Sequence, residues 1–121
     1  MRPRRRKQSP RRLGPEAERR VRRHYRLRGW VVLAANARAG GNELDVVVRR
    51  GRRVVFAEVK ARSGTGFGDP WEAVGPEKAR RVRNAAETWL ARRPELLDFD
   101  IGFEAVAVRA DGRIERTPLD V

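Results

Sequence analysis

The sequences ELDVVV at residues 43–48 and VVFAEVK at residues 54–60 give the first indication of the architecture. Both are rich in β-branched and apolar residues, a composition typical of strands. The segment RRGRR at residues 49–53 separates them. Two such runs around a short connection that contains glycine predict a β-hairpin. We therefore place two antiparallel strands near the middle of the chain.

The hairpin carries acidic residues on both of its strands. Side chains alternate between the two faces of a strand, so Glu43 shares a face with Asp45, and Glu58 shares one with Lys60. We expect these acidic groups to lie on the same side of the sheet. The opposite face is expected to line the core with Leu44, Val46, Val48, Val55, Ala57 and Val59.

Carboxylates on neighbouring strands repel each other unless a partner neutralises them. Mg²⁺ is such a partner, because it takes carboxylate and carbonyl oxygens and keeps several waters. We predict that Asp45, Glu58 and the backbone carbonyl of Val59 bind Mg²⁺ or Mn²⁺, which would lower the pKa of a bound water and shield a phosphate. Lys60 would orient or deprotonate the attacking water, or stabilise the phosphorane. The alternative is an exposed ion pair between Glu58 and Lys60.

The rest of the chain predicts an α/β protein in the order αβββαββ, a mixed sheet flanked by helices. Apolar stripes on both helices are expected to face the core: Ala17, Val21, Tyr25 and Leu27 on the first, and Val82, Ala86, Trp89 and Leu90 on the second. The remaining elements are a first helix starting at residues 14–16 and ended by Gly29, a strand over residues 30–35, a loop over 36–42, a Gly-rich loop over 62–70, a helix over 76–92, and strands over 103–108 and 113–117.

Composition bounds the class of protein. A length of 121 residues suits one domain, and 40% hydrophobic residues can bury a modest core. The chain has no cysteine, which excludes disulfides, thiolate catalysis and cysteine-bound zinc, and one histidine, which excludes a multi-histidine metal site. No apolar stretch approaches the roughly 20 residues that span a bilayer. We expect a cytoplasmic protein with no membrane partner.

The positive charge is concentrated at the start of the chain. Residues 1–28 hold 13 Lys or Arg against two Glu, whereas the remainder holds 16 basic and 14 acidic residues. We predict a disordered basic arm over residues 1–13 and a single domain over 14–121. Such a polycation suits nucleic acid, because neutralised phosphates release counterions, and Arg11, Arg12 and Arg19 are candidate contacts. The alternative is a solvated arm that only aids solubility.

The hairpin motif resembles the signature of the YraN-like family of uncharacterised bacterial proteins. In that family a Gly-Glu-Ile-Asp-Leu-Ile segment precedes Phe-Val-Glu-Val-Lys-x-Arg, and here residues 43–47 and 55–62 match it. Glu18, eleven residues before Gly29, falls at the glutamate of the family's first helix. The resemblance covers about residues 15–121. The family is similar to archaeal Holliday-junction resolvases, which implies a restriction-endonuclease-like fold, a homodimer, and a Mg²⁺ site at Glu18, Asp45, Glu58 and Lys60.

These observations favour a Mg²⁺-dependent, nuclease-like protein that binds DNA and hydrolyses its phosphodiester bonds, with branched or damaged DNA as the substrate that the resemblance implies. Arg62, on the same face as Lys60, is a candidate phosphate contact. Glu43 is expected to support the metal ligands or a second ion, with an ion pair to Arg38 as the alternative. A non-catalytic nucleic-acid-binding accessory protein and a ribosome-associated protein are the competing hypotheses. Basic residues of the second helix are interpreted as a solvated face: Lys78, Arg80, Arg81 and Arg83.

Overall fold

The described residues form one mixed β-sheet between two helices. The computed structural model describes residues 9–62 and 75–120, with side chains from residue 15 to 60 and from 75 to 120. The elements are α1 (Ser9–Arg26), β1 (Val31–Ala39), β2 (Asn42–Arg50), β3 (Arg53–Arg62), α2 (Pro76–Ala91), a 3₁₀ turn (Pro94–Leu96), β4 (Asp100–Arg109) and β5 (Ile114–Leu119). This order confirms the predicted α/β architecture.

The five strands are arranged in chain order, β1-β2-β3-β4-β5. Neighbouring strands are antiparallel except β3 and β4, which are parallel. A parallel pair needs a crossover connection, and α2 lies in that connection. The two helices cover opposite faces: Val21 and Tyr25 of α1 pack in one core cluster, and Val82 and Trp89 of α2 pack in the other.

Both faces of the hairpin are buried along its middle, over residues 46–48 and 54–58, whereas the sequence predicted one apolar face. Val46 and Ala57 pack beneath α1, and Val47 and Phe56 pack beneath α2. A sheet covered by helices on both sides requires nearly continuous apolar strands. The polar positions of the hairpin therefore lie at its two ends, with arginines at the turn and the acids at the open end that carries Asp45 and Glu58.

Three sequence expectations for the elements are wrong. Helix α1 begins at Ser9 and includes Pro15, so residues 9–13 of the predicted arm are helical; residues 1–8 and the Gly-rich residues 63–70 lie outside the described part. Strand β1 continues through the predicted loop to Ala39 because it pairs with β2 as far as Asn42. Leu27 is 70% exposed, because it lies beyond the end of α1. In the described part, neither helix has the length and apolar character that crossing a membrane requires.

Candidate metal centre

The acidic residues meet where strands β2 and β3 stop pairing. Their ladder runs from Arg50 opposite Arg53 to Val46 opposite Ala57. One residue further on, the carboxylate of Asp45 accepts a hydrogen bond from the backbone N–H of Val59, with 2.9 Å between N and Oδ2. This bond holds the Asp45 carboxylate against β3, on the strand that carries Glu58.

Glu58 is the most buried carboxylate of the site, with 4% of its surface exposed. Its Oε1 lies 3.4 Å from Nζ of Lys78, at the start of α2. Burial, reinforced by the charge of Asp45, raises the pKa of Glu58 to about 7. Burial also raises the pKa of Asp45, although the Val59 hydrogen bond opposes the rise. The two carboxylates therefore disfavour each other's charge, and a cation would stabilise both.

Helix α1 brings a third acid towards this pair. Burial and the charge of Asp45 raise the pKa of Glu18 to about 6, while a hydrogen bond with the side chain of Asn36 opposes the rise. The charge of Glu43, in turn, raises the pKa of the Asp45 carboxyl. Acids from α1, β2 and β3 are thus close enough to influence one another's ionisation.

Two ammonium groups complete the cluster. Burial lowers the pKa of Lys60, and the neighbouring charge of Lys78 lowers it further. Sequence reasoning missed Lys78, which it assigned to a solvated helix face. The signal was its spacing, because Lys78 lies four residues before the buried Val82 and so shares the inward face of α2.

An open pocket of about 210 Å³ lies beside the two carboxylates. It is lined by Asn42, Glu43, Asp45, Glu58, Lys78, Arg81 and Val82. The lining holds both acidic and basic side chains, so the pocket offers carboxylate oxygens to a cation and the charges of Lys78 and Arg81 to an anion. Glu43 lines the pocket as a neighbour of Asp45.

The other predicted contacts fall outside this pocket. Arg19 is exposed on α1. The side chains of Arg11, Arg12 and Arg62 lie outside the described residues. The structure therefore brings together the acids and Lys60, and it leaves the predicted phosphate contacts as predictions.

The donor set fits a hard divalent cation that keeps most of its waters. Within residues 9–62 and 75–120, no group of three or more His, Cys, Asp or Glu side chains could hold an ion by itself. Mg²⁺, however, is commonly bound through one or two carboxylates together with waters and a substrate phosphate. Asp45 and Glu58 supply two carboxylates in one pocket, so they are the residues that would hold Mg²⁺ or Mn²⁺, with the Val59 carbonyl still a predicted ligand.

Comparison with known proteins finds relatives over most of the chain. Residues 17–108 match the uncharacterised protein family UPF0102, which confirms the resemblance to the YraN-like family. The UPF0102 protein of Frankia alni is 46% identical over 96 residues, 79% of either chain. That of Acidothermus cellulolyticus is 41% identical over 98 residues, which cover 78% of this chain and 74% of the relative. That of Halorhodospira halophila is 38% identical over 101 residues, 84% of either chain.

Proposed function

The chain belongs to the uncharacterised protein family UPF0102, and we propose that it is a Mg²⁺-dependent nuclease that binds DNA and hydrolyses its phosphodiester bonds. The observation that supports this proposal is the pairing of Asp45 and Glu58 in one pocket. Burial raises the pKa of both carboxyls, and the charge of Asp45 raises that of Glu58 further. A divalent cation together with a phosphate is the partner that matches both the acids and the lysines.

The side chains around the carboxylates have distinct proposed roles. A bound ion would activate a water and shield the negative charge of the phosphate. Glu18, whose pKa is about 6, is ionised at neutral pH and can accept a proton from the attacking water. Lys60 orients that water or stabilises the charge that develops on the phosphorane. Lys78 and Arg81 bind phosphate oxygens from the α2 side of the pocket.

The test is DNA cleavage by the full chain. Four-way junctions, flaps, duplexes and single strands are incubated with Mg²⁺, with Mn²⁺ and with EDTA. We expect cleavage only with a divalent ion, with the greatest activity on branched DNA, and we expect Asp45→Asn and Lys60→Ala to abolish it. Asp98→Asn, which changes an exposed aspartate, is the matched control and keeps full activity. Absence of cleavage by the wild type, or full activity in Asp45→Asn, would end the proposal.

The resemblance to resolvases further leads us to propose a homodimer, since two copies would present one site to each of two DNA strands. Light scattering of the full chain after size exclusion tests this, with twice the chain mass of 13.9 kDa as the expected result. A monomer at all concentrations, with cleavage retained, would refute the dimer without affecting the metal site.

The second candidate function is a non-catalytic nucleic-acid-binding accessory protein. The net charge of +13 favours it, because that charge alone supports sequence-independent binding. This function requires no metal. Equal DNA affinity in EDTA and in Mg²⁺, without cleavage of any substrate, would favour it over the nuclease.

A further inference from the structure

A second pocket, of about 240 Å³, lies between α1 and the hairpin formed by β4 and β5. Helix α1 and the turn that follows it line the pocket with Arg20, Arg23, His24, Leu27 and Arg28, and the hairpin contributes Gly112 and Ile114. We call this the α1–β5 groove. It shares no lining residue with the carboxylate pocket, so it is a separate site.

Uncompensated positive charge is the main property of the α1–β5 groove. Arg20, Arg23 and Arg28 are exposed, and no ion pair within the described part of the chain involves any of the three. The acids of the neighbouring hairpin are already paired: Asp111 lies 3.1 Å from Arg113, and Glu115 lies 2.7 Å from Arg109. The groove is therefore a cationic surface that lacks its own counterions.

The groove is shaped for an extended anion. Arg20 lies six residues before the last residue of α1, which is about 9 Å at 1.5 Å per residue, and Arg28 lies in the turn just beyond the helix. One DNA strand carries a phosphate about every 3.4 Å along the helix axis, so this length spans about three phosphates. A Cβ at position 112 would lie 2.9 Å from Nη1 of Arg20, so glycine at this position lets the turn approach the guanidinium closely.

The groove lies at the end of the sheet where the carboxylate pocket also lies. Lys60 on β3 pairs with Ala107 on β4. Strand β4 ends two residues after Ala107, at Arg109, and the turn that contains Gly112 follows it. The groove and the carboxylate pocket therefore lie at the same end of the sheet, the groove on its α1 side and the pocket on its α2 side. Apart from the His24 imidazole, the lining holds no aromatic ring on which a base could stack, which favours phosphate contacts over contacts to unpaired bases.

We propose that the α1–β5 groove binds the phosphate backbone of duplex DNA next to the cleavage site. The choice of DNA rests on the proposed function. Arg20, Arg23 and Arg28 contact successive phosphates of one strand, and these contacts hold the duplex in place without reading its sequence. The groove thus supplies a docking site that is part of the folded domain and separate from residues 1–8.

The experiment measures the salt dependence of duplex binding. Anisotropy of a labelled 20-base-pair duplex is recorded in EDTA at several concentrations of KCl from 50 to 200 mM. The proteins are the wild type, the triple variant Arg20→Gln, Arg23→Gln, Arg28→Gln, and a control variant with the same change in charge at Arg26, Arg83 and Arg92. The control arginines are exposed and do not line the groove.

Log affinity falls with log salt, and each lost phosphate contact makes this negative slope shallower by about 0.9, so three lost contacts make it shallower by about 2.7. Raising KCl from 50 to 200 mM then weakens the wild type about 40-fold more than the triple variant. The control variant should keep the wild-type slope. An unchanged slope in the triple variant, an equal loss in both variants, or no duplex binding by the wild type overturns the groove proposal. Wild-type binding that follows the expected pattern, together with no cleavage of any substrate in Mg²⁺ or Mn²⁺, overturns the nuclease and leaves the groove.

Discussion

Replacing Glu58 with glutamine is expected to stabilise the metal-free protein relative to the wild type, and this difference should increase as the pH rises. The carboxyl of Glu58 has its pKa raised from 4.5 to about 7 because it is buried and lies beside Asp45. Between these two values the folded chain keeps a proton that the unfolded chain has released. The contribution of the Glu58 carboxyl to the free energy of unfolding of the wild type is therefore fully present below pH 4.5 and is lost as the pH rises towards 7. Each pKa unit corresponds to about 1.4 kcal/mol, so the whole shift is worth about 3 kcal/mol.

Urea unfolding in EDTA at pH 4.5, 6 and 8 measures this effect. At each pH the free energy of unfolding of the wild type is subtracted from that of Glu58→Gln, so that titrating groups that do not interact with Glu58 cancel. We expect the difference to increase by about 3 kcal/mol from pH 4.5 to pH 8. Glu87→Gln changes an exposed carboxylate on α2 and is the matched control, for which the difference should stay flat.

The direction of the change discriminates between two accounts of Glu58. If the ion pair with Lys78 dominated, the folded state would favour the ionised carboxylate, and Glu58→Gln would become less stable relative to the wild type as the pH rises. A flat or decreasing difference would therefore refute the reasoning that burial and Asp45 outweigh Lys78.

Two further predictions concern packing. Tyr25→Phe removes the hydroxyl that donates a 2.5 Å hydrogen bond to the buried carboxylate of Glu104, so we expect a loss of about 1–3 kcal/mol in urea unfolding, and no loss would contradict the assigned bond. Gly40→Ala places a side chain at a φ of +59°, with its Cβ 2.9 Å from Oγ1 of Thr88, and should cost more than the 1–2 kcal/mol or so expected for the backbone alone. Gly51→Ala, at a φ of +62° with open space around it, is the control, and equal losses in the two variants would show that the contact with Thr88 costs nothing.

The hairpin and its acids were predictable because their signals are local. Runs of β-branched residues around a tight turn specify the strands, and the alternation of side chains places Asp45 and Glu58 on neighbouring strands. The sequence does not show how closely the Asp45 carboxylate approaches β3. The strand register and the hydrogen bond from the Val59 N–H show this.

The features that sequence reasoning missed depend on contacts between distant elements. Lys78 joins the site only because α2 crosses the sheet and brings its first turn to within 3.4 Å of Glu58. The extension of β1 to Ala39 follows from pairing with β2, which outweighs the turn preference of Asn36, at a φ of +52°. The burial of Phe56 beneath α2 likewise needs knowledge that both faces of the sheet are covered.

Binding of Mn²⁺ to the full chain, measured by isothermal titration calorimetry at pH 7.5, tests the carboxylate pair most directly. We expect the wild type to bind the ion and to release protons from the pair as it does so. Asp45→Asn and Glu58→Gln should both lose this binding, while Asp98→Asn should keep it. No binding by the wild type, or the same affinity in all four proteins, would contradict the assignment of Asp45 and Glu58 as the metal site.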